Sequence, residues 1–418
     1  MLAALPIDLP DADLVVNELP VALRPLRIAV VTETYPPEIN GVAMSIHRIV
    51  EGLRGRGHEL QLLRPRQHCG DAAGGATGFQ EVLMRGLPIP RYPDLKMGLP
   101  ARRALLALWR ARRPDVVHIA TEGPLGWSAL QAARGLRLPV TSDFRTNFHA
   151  YSRHYGIGWL SRPILAYLRK FHNHTATTMV PTQALADELA HCGLRHLRVV
   201  GRGVDTLGFD PARRSTALRQ AWGVGPQTLV VACVGRLAPE KNLGLLLQAF
   251  AAIRAARADS RLLLVGDGPA RAELQAACPD VLMAGLRSGD DLAAHYVSAD
   301  LFLFPSLTET FGNVTPEAMA SGLPVLAFDH AAAGQLIRDG DNGRLVPLGD
   351  GAAFVRQAVA LALNPASALA LGRRARETAL AHGWAHIVGQ VEAILRQARA
   401  TSPQPVPARL PPAITRAH

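Results

Sequence analysis

Twice along its length this chain alternates short apolar runs with helix-length amphipathic segments, and no other feature narrows its architecture as far. From Arg27 onward, Ile28–Thr32, Glu59–Leu63, Val116–Ile119, Val140–Phe144, Thr178–Val180 and Leu197–Val200 read as strands. The pattern breaks between Gly208 and Gly225, where Asp210-Pro211, Gly223 and Gly225-Pro226 crowd together. It then restarts with Leu229–Val234, Arg261–Val265, Val281–Ala284, Leu301–Phe304, Pro324–Phe328 and Arg344–Val346. Strands separated by helices imply βαβ units and parallel sheets. The expectation is two consecutive α/β domains, residues 26–207 and 208–383, and 418 residues are enough to give each a full core. Residues 1–25 form a loose Pro- and Asp-bearing extension. Residues 384–400 form one further amphipathic helix, and the tail 401–418, with five prolines, reads as disordered. Two such domains in tandem leave a cleft between them, and ligands of open α/β sheets bind beyond the carboxyl ends of the strands.

Charge is unevenly spread. Lysine and arginine number 45 against 34 acidic residues, a net of +11, and the stretch Lys96–Lys170 holds 13 basic residues and 3 acidic ones. Two readings stand: solvated helix faces, or a surface for anions. Within it, Phe144, Phe148, Tyr151, Tyr155 and Trp159 follow helical spacing. The stripe either packs into the first domain or, beside Arg153, Arg162, Arg169 and Lys170, meets an anionic membrane surface. A hydrophobic content of 48% excludes a disordered chain. Cys69, Cys192, Cys233 and Cys278 make no CxxC pair, so neither zinc nor a disulfide framework is signalled, and reduced thiols fit a cytoplasmic protein. No apolar run approaches the ~18 residues of a membrane span. The N-terminus carries Asp8, Asp11, Asp13 and Glu18 without a basic leader. The expected location is the cytoplasm, with any membrane contact peripheral and on the inner face.

Four segments at strand ends carry chemistry. Glu309-Thr310-Phe311-Gly312-Asn313-Val314-Thr315-Pro316-Glu317 follows an apolar strand, and Pro316 suits a first helical turn. Its glycine lets backbone approach a ligand, the amides at the helix start can meet an anion, and its two carboxylates can hold separate hydroxyl-bearing parts of one long ligand. A capped surface helix is the plain alternative. Gly235-Arg236-Leu237-Ala238-Pro239-Glu240-Lys241-Asn242 follows the first strand of the second domain. Arg236 and Lys241 stand five apart across a turn and can converge on a diphosphate, unless each simply pairs on the surface with a residue such as Glu240. Gly266-Asp267-Gly268-Pro269 is a turn that permits close approach of a nucleotide. In the first domain, Tyr35-Pro36-Pro37-Glu38-Ile39-Asn40-Gly41-Val42 joins strand to helix, where Asn40 and Gly41 tolerate positive φ and can leave amides in the cleft. His118 ends a strand, which makes it a cleft candidate or a structural histidine.

The order and spacing of these motifs resemble the retaining glycosyltransferases of family 4, from about Arg27 to about Arg399. The resemblance implies two Rossmann-like domains facing a central cleft, the GT-B arrangement, with the terminal helix crossing back to the first domain. It assigns Arg236 and Lys241 to the leaving diphosphate, Glu317 to the ribose and Glu309 to the donor hexose. Phe311, Gly312, Asn313 and Val314 would lend backbone amides, Gly41 would let the first domain close over the phosphates, and Arg202 and Gly266 would line the donor site. The first-domain text, Glu33–Val42, His154-Tyr155-Gly156 and Gly201–Asp205, is similar to bacterial α-mannosyltransferases using GDP-mannose. Relatives with similar text use UDP-glucose or UDP-sulfoquinovose. Where relatives commonly have His-Thr, this chain has Arg145-Thr146, so Arg145, or His149 nearby, becomes the acceptor-side candidate.

The expected reaction is retaining transfer of a hexose, foremost mannose from GDP-mannose, to a hydroxyl of a lipid-linked or glycan acceptor. It proceeds by same-face displacement in which the leaving phosphate takes the acceptor proton. Neither cofactor nor metal is expected. Asp11-Ala12-Asp13 lies in the loose extension and Asp339-Gly340-Asp341 in a turn, away from the donor motifs, and the two cations can neutralise the leaving charge. A nucleotide-sugar epimerase would share the architecture but leaves the paired Glu309/Glu317 and Arg236/Lys241 motifs unexplained. A basic nucleic-acid protein would explain only the charge, and no nucleic-acid motif is present.

Overall fold

In the computed structural model the described residues are 24–401, apart from 39, 69, 90, 91 and 146–160. The first domain contains β1 (Arg27–Val31), β2 (Glu59–Pro65), β3 (Gly75–Ala76), β4 (Phe79–Met84), β5 (Gly86–Ile89), β6 (Tyr92–Gly98), β7 (Val116–Ile119), β8 (Val140–Asp143), β9 (Thr177–Val180) and β10 (Leu197–Val199). Between them run α1 (Gly41–Gly55), α2 (Arg102–Ala111), α3 (Pro124–Gly135), α4 (Ser161–His172) and α5 (Gln183–His191). The second domain contains α6 (Thr216–Ala221), β11 (Leu229–Val234), α7 (Leu243–Ala256), β12 (Ser260–Val265), α8 (Arg271–Ala277), β13 (Leu282–Gly285) and α9 (Gly289–Val297). It continues with β14 (Leu301–Phe304), α10 (Val314–Ala320), β15 (Val325–Phe328), α11 (Ala331–Leu336), β16 (Arg344–Val346), α12 (Gly351–Leu363) and α13 (Pro365–Leu380). Helix α14 (Trp384–Ala400) closes the fold.

All twelve expected strands are present, with no end moved by more than two residues. The sheet of the second domain runs β13-β12-β11-β14-β15-β16, all parallel. That is the 3-2-1-4-5-6 order of a Rossmann fold, with its topological switch point between β11 and β14. The first sheet runs β10-β9-β8-β7-β1-β2-β4-β3, with its switch between β1 and β7 and only the β3–β4 pair antiparallel. Both switch points put strand ends where the motifs stand. Strands β3 to β6 were not anticipated. Strand β4 is half-buried throughout, and Pro88 and Pro93 interrupt the β5–β6 pair, so their text lacks the apolar run of a central strand.

The C-terminal helix crosses back as expected. Ile387, Val388, Val391, Ile394, Leu395 and Ala398 lie in the same core as Leu26, Ile28, Ile46, Ile49 and Val50 of the first domain. Close approach is possible because α1 offers Gly52; a Cβ there would meet Val388 at 2.5 Å. The chain crosses between domains at two adjoining places, with Val204 bridged to Gly383 and Gly203 packed on Trp384. Arg376 fastens this crossing by donating to the carbonyls of Thr206, Phe209 and Ala320.

Candidate functional site

The second-domain wall of the cleft begins at the end of β11. Gly235 adopts φ 145°, and the chain then turns through a 3-10 segment, Pro239–Lys241. Lys241 Nζ is ion-paired with Glu309 Oε1, and Ser306 Oγ donates to the same oxygen at 2.8 Å. Lys241 also lies 5.6 Å over the Phe304 ring. Arg236 does not share this arrangement. Its side chain is half exposed and stands 3.8 Å from Glu240 Oε1, the surface pairing weighed from sequence. The two cations are thus each held by a different carboxylate rather than drawn to one point.

The glycines of the second motif are required by backbone packing. Gly266 has φ 137°, and a Cβ on it would collide with the Gly235 carbonyl; one on Gly268 would collide with the Leu237 carbonyl. Leu237 N donates to Asp267 O and Ala270 N to Leu237 O, each at 3.0 Å. These glycines first let the turn after β12 lie backbone-on-backbone against the turn after β11, and so fix the Arg236–Lys241 loop.

Beyond β14, Gly312 takes φ 88° and Phe311 is buried. Helix α10 opens at Val314 with no side chain capping its first amides. Glu317 keeps little exposure, accepts from Tyr296 Oη at 2.9 Å, and is pushed by burial to a pKa of about 7. A small pocket behind this loop is lined by Ser306, Glu309, Phe311, Thr315 and His330 among others. Tyr296 has no sequence signal marking it; Ser306 stands three residues before Glu309 but was passed over.

Across the cleft, Asn40 caps α1, its Oδ1 accepting from the amides of Val42 and Ala43 at 3.0 and 2.8 Å. Its backbone is extended, φ −147°, and Gly41 is the first helical residue, so neither takes the positive φ that the sequence suggested. Asn40 is braced in turn by its amide donating to Thr34 Oγ1 at 2.7 Å and Glu38 Oε2 at 3.3 Å. A Cβ on Gly41 would lie 3.4 Å from Asn313 and 3.5 Å from Arg202, which places the start of α1 directly against the loop before α10.

His118 on β7 is buried, with Nδ1 3.0 Å from Thr141 Oγ1 and Nε2 3.3 Å from Asp143 Oδ2. The same Asp143 oxygen pairs with Arg145. Burial pushes the Asp143 carboxyl up, but Arg145 and His118 outweigh it and hold the pKa at about 2. Arg202, nine-tenths buried, donates to Asn313 Oδ1 at 3.3 Å and stacks 5.8 Å over Phe311. Its pKa is lowered to about 9 by burial and by the neighbouring Arg145. The sequence reading passed over Asp143, although it stands at a strand end inside the quoted Asp143–His149 segment. His149 and the aromatics Phe148, Tyr151, Tyr155 and Trp159 lie outside the described residues, while Phe144 is buried in the first domain. Asp339 and Asp341 sit in an exposed turn, paired with Arg344 and Arg374.

Comparison with known proteins matches both walls of this cleft. Residues 39–206 fit the model described as Glycosyltransferase Family 4, and residues 228–364 that of Glycosyl transferases group 1. The chain is also 35% identical, over 88% of its length and 97% of the relative's, to the GDP-mannose-dependent alpha-mannosyltransferase of Mycobacterium tuberculosis. It belongs to the family 4 glycosyltransferases. The glycosyltransferase is 28% identical to a sulfoquinovosyl transferase of Arabidopsis thaliana, over 86% of this chain and 71% of that one. Its fold matches sucrose-phosphate synthase of Thermosynechococcus elongatus, with TM-score 0.74 at 20% identity, covering 90% of this chain and all of the other. As a glycosyltransferase it moves a hexose from a nucleotide-sugar donor to a glycan or lipid acceptor. Among the described residues no single helix is long and apolar enough to cross a membrane.

Proposed function

We propose that the protein transfers mannose from GDP-mannose, with retention at the anomeric carbon, to a hydroxyl of a lipid-linked or glycan acceptor. What carries the reading is the 35% identity, nearly end to end, to an enzyme whose name specifies that donor. The site's chemistry agrees with it. Lys241, partly buried and already oriented by Glu309 and Ser306, offers a positive charge on the donor wall, and Arg236 has the freedom to swing from Glu240 to the same diphosphate. A preorganised cation is the means by which leaving-group charge is stabilised without reorganisation. Freed from Lys241 by the incoming phosphates, Glu309 would accept hydrogen bonds from the donor hexose, and Glu317 from the ribose. With Gly41 against Asn313, closure of the cleft would exclude water and limit donor hydrolysis.

The phosphate leaving from the donor would take the acceptor proton on the same face, so neither metal nor cofactor enters the scheme. Transfer in EDTA equal to transfer in magnesium supports this; loss restored by manganese refutes it. A UDP-sugar donor is the second reading, favoured by the 28% identity to the sulfoquinovosyl transferase. Calorimetry with GDP and UDP separates the two, and tight binding of UDP alone would overturn the mannosyl assignment. Reach to a lipid-linked acceptor would come from a cytoplasmic, peripheral encounter with an anionic membrane, through the basic excess of residues 96–170.

A further inference from the structure

Glu317, on α10, is held by a residue of another helix. Tyr296, on α9, donates its hydroxyl to Glu317 Oε2 at 2.9 Å. Among the described residues no second side chain donates to that carboxylate. The phenol ring has no room to swing. It is fully buried, with Phe209 edge-on at 5.4 Å and Phe302 tilted against it at 5.6 Å. Glu317 itself is only partly buried. A fixed donor thus occupies one oxygen of a carboxylate that a ligand can still reach. A ring that served the core alone would need no hydroxyl, since phenylalanine fills the same space and a buried hydroxyl is costly unless bonded.

We propose that Tyr296 is a positioning residue for the donor: by fixing Oε2 it sets the Glu317 carboxylate to accept from the ribose hydroxyls of the nucleotide. This rests on Glu317 meeting the ribose, as proposed for the donor. The hydrogen bond also favours the charged form of Glu317. Burial raises its pKa to about 7, and the Tyr296 bond acts against that rise. Burial and the facing carboxylate push the phenol well above its ordinary range, so it stays a donor wherever Glu317 titrates. The surroundings add no competing titration. Of the other elements packed on α10, β15 and α11 carry no ionisable side chain. On α13, Arg376 is committed to backbone carbonyls, while Arg373, Arg374 and Glu377 are exposed. On α9, Asp290 and Asp291 are exposed and His295 Nδ1 lies 2.7 Å from the Asp291 carbonyl. Cys233 of β11, beside Tyr296, has its thiol pushed up to about 12 by burial.

The test measures binding of GDP and of dideoxy-GDP, which lacks both ribose hydroxyls, to the intact protein by calorimetry. Wild type, Tyr296→Phe and Glu317→Gln are compared at about pH 6, 7 and 8. The ratio of the two affinities is read within each protein, so a loosened core or a smaller folded fraction cancels, as do the titrations of phosphate and base. Wild type should prefer GDP at least about tenfold at neutral pH, as expected of hydrogen bonds to a charged group. The preference should grow with pH, because the ionised carboxylate is the better acceptor. Tyr296→Phe should lower the preference at least about threefold at neutral pH and move its growth to higher pH. Glu317→Gln should lower it and remove its pH dependence. If Tyr296→Phe keeps the wild-type preference and profile while Glu317→Gln loses them, the proposal is overturned and the ribose reading stands. Equal weakening of both nucleotides by Tyr296→Phe also overturns it, because that is the mark of a purely structural tyrosine. No preference in wild type, or one untouched by Glu317→Gln, overturns the ribose reading and the proposal with it. If wild type takes UDP instead of GDP, the mannosyl assignment alone falls, and the same outcomes are scored with UDP and dideoxy-UDP.

Discussion

Lys241 is the residue on which the proposed donor wall turns. It is held by Glu309, lies over Phe304, and sits in a short 3-10 turn that the packing of Gly266 and Gly268 fixes in place. Because it is already oriented, Lys241→Ala should cost about 3 kcal/mol of transition-state stabilisation, roughly a hundredfold in kcat. The fold should survive, because the side chain belongs to a loop and leaves Glu309 bonded to Ser306. Steady-state kinetics check this, and a near-normal kcat would remove Lys241 from the mechanism. Glu317 makes a different prediction. Burial raises its pKa from 4.5 to about 7, so the folded apo-protein holds this proton more tightly than the unfolded chain does. Its contribution to stability is therefore fully present below about pH 4.5 and lost as pH rises through about 7. Glu317→Gln should flatten that part of the pH–stability curve in urea melts. Glu33, also raised to about 7 by burial, keeps its own slope, so the curve flattens only in part.

At the scale of elements, helix packing sets limits that propensity does not foresee. Alanine in place of glycine inside a helix gains up to ~1 kcal/mol. At Gly52 the sign reverses, since the added methyl would stand 2.5 Å from Val388 on α14. Overpacking of this kind costs ~1–3 kcal/mol. Gly52→Ala should lower the melting temperature, and Gly52→Ala with Val388→Ala should be more stable than the two single effects summed. Strict additivity would mean that α1 and α14 are not in the contact described. The same scale explains what the sequence hid. A central strand such as Leu229–Val234 is buried at every position and announces itself as an apolar run. Strand β4 has intermediate exposure along its whole length, and β5 and β6 contain prolines, so no periodicity marks them. The glycines of the turn after β12 were legible as a close approach, and their packing on the loop after β11 is a contact that only the assembled sheet brings about.

At the scale of the whole molecule, α14 makes the two domains interdependent. Ile387, Val388, Val391, Ile394 and Leu395 are each buried in the first domain's core. At ~1.5–3 kcal/mol for each such side chain, their removal forfeits an amount comparable to the ~5–15 kcal/mol stability of a typical domain. A chain ending at Gly383 should therefore bind hydrophobic dye and lose the cooperative melt of the first domain, and an unchanged melt would show that α14 is dispensable. The sequence by itself determined the architecture, because strand periodicity, connection length and the hand of βαβ crossovers are local constraints that leave few topologies. It also singled out the motif segments, because they sit where strands end. What only the tertiary structure decided is which charges meet. Lys241 and Glu309 are 68 residues apart, Arg202 and Asn313 are 111 apart, and His118 and Asp143 come from neighbouring strands. Coulombic pairing and desolvation depend on distance and burial, which emerge only when both sheets face one cleft.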